Sequence, residues 1–147
     1  MFSDYVKVFL DRDLKQKGIV LNREVRIHRG QRTDIHVGAI TQTAQGQPYD
    51  SITAIIECKG CWNPGLYDAM KDQLVGMYLE GNHCQHGLYL VGWFNCVNWA
   101  EKDGRKKQAE RLCPDINGTR QKLATSALDL SKEAIRIKSV VLDISLH

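Results

Sequence analysis

Apolar and polar positions alternate along the chain in patterns that mark out eight elements. Residues 3–17 place Tyr5, Val6, Phe9, Leu10 and Leu14 at helical spacing, with Ser3 suited to cap the start and Gly18 to stop the end. From 19 to 28 the period changes to two, as Val25 and Ile27 alternate with Glu24, Arg26 and His28. A break at Gly30-Gln31 leads into a second strand over 32–40, with Ile35 and Val37 on one face and Asp34 and His36 on the other. A polar turn at 41–50 carries Gly46 and Pro48 and precedes a third strand, "SITAIIECKG" at 51–60. Three strands with short connections predict an antiparallel meander. Residues 63–82 then return to helical spacing. Asn63 is an N-cap candidate, Pro64 suits the first turn, Leu66, Met70, Leu74 and Met77 trace a stripe, and Gly81 can close the helix. "HGLYLVGWF" at 86–94 reads as a buried strand, 119–134 as a helix and 135–146 as a final strand. The polar stretch 95–118, with "DGRKK" at 103–107, reads as a surface loop with a short helix.

The order helix, three strands, helix, strand, helix, strand predicts an α/β sandwich with a mixed sheet. At 147 residues the chain is expected to be one domain, long enough to bury a core without staples. An apolar fraction of 43% and a charged fraction of 25% are those of a soluble globular chain. No apolar run is long enough for a membrane-spanning helix, and the opening "MFSDYVKVFL" lacks the pattern of a signal peptide, so a cytoplasmic location is expected. Five scattered cysteines argue against a disulfide framework. The net charge of +3 permits an anionic partner without requiring one.

The third strand ends in charge. Side chains alternate along a strand, so Ile55, Glu57 and Lys59 share a face, and burying the two charges there is costly unless each is paired or metal-bound. If the second and third strands pair, Asp34 comes within about 5 Å of Glu57, or a diagonal further. Two carboxylates that close raise one pKa or recruit a cation, and a hard ion such as Mg²⁺ accepts oxygen ligands while keeping waters. The backbone carbonyl of Cys58 lies between the two side chains and is a further ligand candidate. Lys59 is then placed to position or deprotonate an attacking water, or to neutralise phosphoryl charge.

Asp34 followed by Glu57-Cys58-Lys59 on the next strand resembles the PD-(D/E)XK nuclease superfamily over roughly residues 3–94. The resemblance implies a restriction-endonuclease-like αβββαβ core, built as a three-layer sandwich with a mixed sheet. It implies that Asp34 and Glu57 hold Mg²⁺ (or Mn²⁺), that Lys59 assists the attacking water, and that the substrate is DNA. The usual setting of such modules, often within longer chains, is DNA repair or defence. RecB-type members carry a Gln on the following helix that helps fix the site, and Gln73 in "DQLVGMY" looks like that residue. Their usual aromatic residue four positions later is Met77 here, with Tyr78 one position beyond, and Thr33 stands where the superfamily's name has Pro. Deoxyribonuclease activity is therefore expected. The alternative is a catalytically silent nuclease-like module that binds nucleic acid or a protein partner.

Several other residues carry weaker signals. Glu24 can add a carboxylate, and His36 shares Asp34's face. Cys58 and Cys61 have CxxC spacing, with His83, Cys84 and His86 further on, soft ligands for zinc, but alternation turns Cys58 away from Glu57 and into the core. Arg105, Lys106, Lys107 and Arg111 lie near Trp93, Phe94 and Trp99 in the chain, a mixture suited to single-stranded or distorted nucleic acid, or to a solvated loop with anchoring aromatics. Arg23, Arg26, Arg29 and Arg32 add positive charge around the first two strands.

Overall fold

The computed structural model describes residues 2–17, 19–23, 34–41, 50–132 and 134–145. Helix α1 (Phe2–Leu14), with a 3-10 turn at Lys15–Lys17, leads into strands β1 (Ile19–Arg23), β2 (Ile35–Thr41) and β3 (Asp50–Gly60). A π-helix (Met70–Leu79) connects β3 to β4 (His86–Trp93), and helices α2 (Gly104–Leu112) and α3 (Ile116–Leu130) connect β4 to β5 (Arg136–Asp143). Gly18, Glu24, Arg26, His28, Arg29, Gly30, Gln31, Arg32, Thr33, Gly46 and Pro48, all read in the sequence, lie outside the described residues.

The five strands form one mixed sheet in chain order. β1, β2 and β3 are antiparallel neighbours, the expected meander, whereas β4 and β5 run parallel to β3. Each parallel join requires a crossover, and the helical segments supply it.

Alternation along β3 divides the core in two. Ile56 and Cys58 face α1, packing with Val6, Leu21, Ile35 and Leu90. Ile55 faces the other way, into a larger cluster with Leu74, Leu79, Tyr89, Val91 and Leu123 from the π-helix, β4 and α3. The sheet is thus covered by helices on both faces. Gly87 on β4 shows how closely the π-helix packs: an added Cβ would meet Leu79 at 3.0 Å and Leu74 at 3.2 Å.

Three elements differ from the expected pattern. The helix expected over 63–82 is a turn through 61–68, then the π-helix and a 3-10 turn at Glu80–Asn82. Asn63 caps only the turn, its Oδ1 accepting from the Gly65 N–H at 2.9 Å, and His83, not Gly81, takes the left-handed conformation at the end, with φ 54°. On α1 the inward line is Phe2, Val6, Leu10 and Leu14, while Tyr5 and Phe9 are 70% and 62% exposed and Ser3 lies inside the helix. The polar stretch 95–118 contains all of α2 and the start of α3, each opened by an aspartate: Asp103 accepts from the Arg105 N–H, Asp115 from the Gly118 N–H.

Candidate metal and phosphodiester site

β2 and β3 pair with Ile35 opposite Ile56 and His36 opposite Ile55. Continuing this register by one residue sets Asp34 against Glu57, on the face covered by the π-helix. Asp34 Oδ2 accepts a hydrogen bond from the Cys58 backbone N–H at 2.8 Å. In an extended strand a residue's N–H and C=O project to the same side, so the Cys58 carbonyl also faces Asp34. The Cys58 side chain turns the other way, into the core beneath α1, where burial pushes its thiol up to about 12.

Glu57 is almost fully buried, and Lys59 is nearly so. Lys59 Nζ lies 2.6 Å from Glu57 Oε1 and donates to Gln73 Oε1 at 2.7 Å. One ammonium thus ties the end of β3 to the helix above it. Glu57 Oε2 is buried with no hydrogen-bond partner. Desolvation first, and Asp34's negative charge second, push the Glu57 carboxyl from 4.5 to about 7, against the opposing pull of Lys59.

Beneath Glu57, its register partner Tyr89 donates its hydroxyl to the Leu66 carbonyl at 2.6 Å. Burial, and then Glu57, raise its phenol well above the ordinary range.

The π-helix explains the placement of the next aromatic. Its i→i+5 bonding, seen in the Glu80 N–H to Val75 O bond, winds the backbone more widely than an α-helix. Residues five apart therefore share a face. Gln73 reaches Lys59, and buried Tyr78, five positions later, has its phenol raised to about 12 by burial and then by Glu57 and Asp34. Met77, four positions after Gln73 and expected on the inward stripe, is 41% exposed. Tyr78, four positions after Leu74, is the site residue that a stripe drawn through Met77 leaves out. The signal for it is the pair of apolar doublets Leu74-Val75 and Tyr78-Leu79, four apart and all buried, with Met77 outside the pattern. No match to the chain is found among protein-family models, curated proteins or solved structures.

The other expected residues separate. His36 is half-buried on Asp34's face, opposite Ile55 and two positions back from Glu57's level. Glu24 lies outside the described residues. Cys58 and Cys61 bury on opposite faces of the sheet, which removes the CxxC zinc reading, and all five cysteines are free. Cys84 donates its thiol to the Thr53 carbonyl at 3.1 Å. Among the described residues no three His, Cys, Asp or Glu side chains converge as a metal cage. What does converge is a pair of carboxylates, one with a bare buried oxygen, beside a backbone carbonyl. That donor set fits a hard cation that keeps part of its hydration, and does not fit zinc.

Proposed function

We propose that the chain is a Mg²⁺-dependent nuclease of the restriction-endonuclease-like fold, hydrolysing phosphodiester bonds in DNA. The observation that carries this reading is the orphaned Oε2 of Glu57, buried beside Asp34 and within one ion-paired group with Lys59 and Gln73. An acid left bare in a protein interior is costly, and a cation is the partner that answers both the missing contact and the carboxylate repulsion. The strand order and the π-helix crossover are compatible with the core that the Asp34…Glu57-Cys58-Lys59 resemblance implies.

In this reading Asp34, Glu57 Oε2 and the Cys58 carbonyl hold the ion. When bound, Mg²⁺ supplies Lewis-acid polarisation of the phosphoryl group and neutralises charge developing there. Lys59 Nζ, held by Gln73, offers its remaining proton to the attacking water or a phosphoryl oxygen and orients it. Gln73 and Tyr78 keep Lys59 and the carboxylates in register, and the apolar packing around Tyr89 keeps the floor dry.

The deciding experiment incubates the protein with linear, circular and single-stranded DNA, with Mg²⁺ and with EDTA. Metal-dependent products are expected, reduced about 10²–10⁴-fold by Lys59→Met, the scale of a lost general acid–base group, and lost in Glu57→Gln, which removes an ion ligand. DNA binding without metal-dependent products overturns the proposal and is the behaviour of a silent nucleic-acid-binding module.

A further inference from the structure

A second constellation lies at the carboxyl ends of the parallel strands. A cavity of about 360 Å³ is lined by Trp62, Phe94, Trp99, Asn98 and Arg105 among others. Trp62 follows the last residue of β3 by two positions, Phe94 directly follows β4, and Ile144, which also lines it, directly follows β5. Ligands of open α/β sheets bind outside the carboxyl ends of their strands.

The rings are built in from below. An added Cβ on Gly60 would fall 2.6 Å from the Trp62 indole, and one on Gly92 2.6 Å from the Phe94 ring. Trp62 packs on Phe94 at 4.9 Å and on Trp99 at 5.7 Å between centroids, and the Trp99 indole N–H donates to Asp103 at 3.0 Å. Arg105 sits 5.4 Å over the Trp62 ring, held there by Asp103. All three rings are only half-buried, and exposed Lys102 and Lys107 flank Arg105 in the chain. The wall is aromatic and the rim is cationic.

Flat apolar faces with guanidinium and ammonium groups at the edge are the recognition elements for a base and its phosphate. Lys59 and Trp62 are three positions apart, a reach of at most about 11 Å. A nucleotide neighbouring a phosphodiester at Lys59 therefore lies within range of the cavity. We infer that this cavity receives one unstacked nucleobase beside the scissile phosphodiester, making single-stranded or frayed nucleic acid the substrate. The inference rests on the nuclease reading for its position but not for its test.

The test measures binding in EDTA, where cleavage plays no part. A short oligothymidylate is titrated by tryptophan fluorescence against a duplex of equal length, and an abasic nucleotide is then walked along the single strand. Tighter binding of the single strand is expected, with quenching, and one abasic position should cost about tenfold or more, the scale of one base–aromatic stack. Ala100→Trp, at an exposed lining position, fills the cavity and leaves the rings in place. It should weaken single-strand binding by a similar factor, leave duplex binding unchanged, and make the protein indifferent to the abasic position. Equal affinity for duplex, uniform tolerance of abasic sites by the wild-type protein, or unaltered binding by a folded Ala100→Trp each overturns the inference. A failed cleavage assay with a positive abasic scan overturns only the nuclease reading.

Discussion

Glu57 concentrates the energetics of the candidate site. Its carboxyl ordinarily titrates near 4.5, and in the fold it titrates near 7. Below the lower value both folded and unfolded chains hold the proton. As pH rises from 4.5 to 7 the unfolded chain releases it first, so the folded state loses stability across that window and loses no more above it. The shift corresponds to on the order of 3 kcal/mol. Denaturation in EDTA across this range should show the slope, and Glu57→Gln should remove it; parallel curves for the two proteins contradict the burial argument. Lys59 pulls in the opposite direction. Lys59→Met should therefore extend the upper edge of the window beyond pH 7 while its lower edge stays near 4.5. Asp34, Glu57 and Lys59 were legible in the sequence because charge at the end of an apolar strand is costly without a purpose. The bare Oε2 was not legible, since it depends on which lone pair Lys59 takes.

Among the elements, the π-helix departs furthest from sequence periodicity. An α-helical reading of 63–82 selects Leu66, Met70, Leu74 and Met77, and the first three are fully buried. It goes wrong at Met77, which is 41% exposed, because the inward face continues from Leu74 and Val75 to Tyr78 and Leu79, four positions on. Gln73 and the next aromatic, Tyr78, are five apart, the spacing that shares a face of a π-helix. Deleting Gly76, exposed and between the two, should let the segment close to an α-helix with Gln73 and the tyrosine four apart on one face. That variant should keep its fold and the Lys59–Gln73 contact, whereas inserting one alanine after Gly76 should lose both. Amide and side-chain NMR of Lys59 distinguishes the outcomes, and equal disruption by deletion and insertion counts against the spacing argument. Helix α2 was expected only as a short helix without bounds, for a different reason: only Lys106 and Ala109 of "GRKKQAERL" are buried, so no apolar stripe exists to read, and the Asp103 cap marks its start.

Across the whole molecule, the order of elements was readable because most are periodic and separated by turn residues, and the strand sequence follows from the helices that bury both faces of the sheet. A cation between Asp34 and Glu57 was an expectation of the sequence, but the strength of the case for it was not readable, because it requires knowing that Glu57 is at once buried, repelled by Asp34 and partly unpaired. The proposed ion would have a thermodynamic consequence for the entire fold. An ion held by the native site and not by the unfolded chain stabilises the protein by about 2.7 kcal/mol when present at a hundred times its dissociation constant. For a domain of this size that is a rise in Tm of roughly 5–10 °C. Because the proposed ion would bind the ionised carboxylate, it would have to displace the proton that Glu57 holds below pH 7. The Mg²⁺-induced rise should therefore be largest above that pH, shrink progressively toward 4.5, and vanish in Glu57→Gln. Thermal scans with Mg²⁺ and with EDTA over this range measure it without reference to catalysis. A rise of equal size in Glu57→Gln places the ion elsewhere. No rise at any pH means that Lys59 alone answers the buried charge, and that the orphaned oxygen is a cost the fold carries.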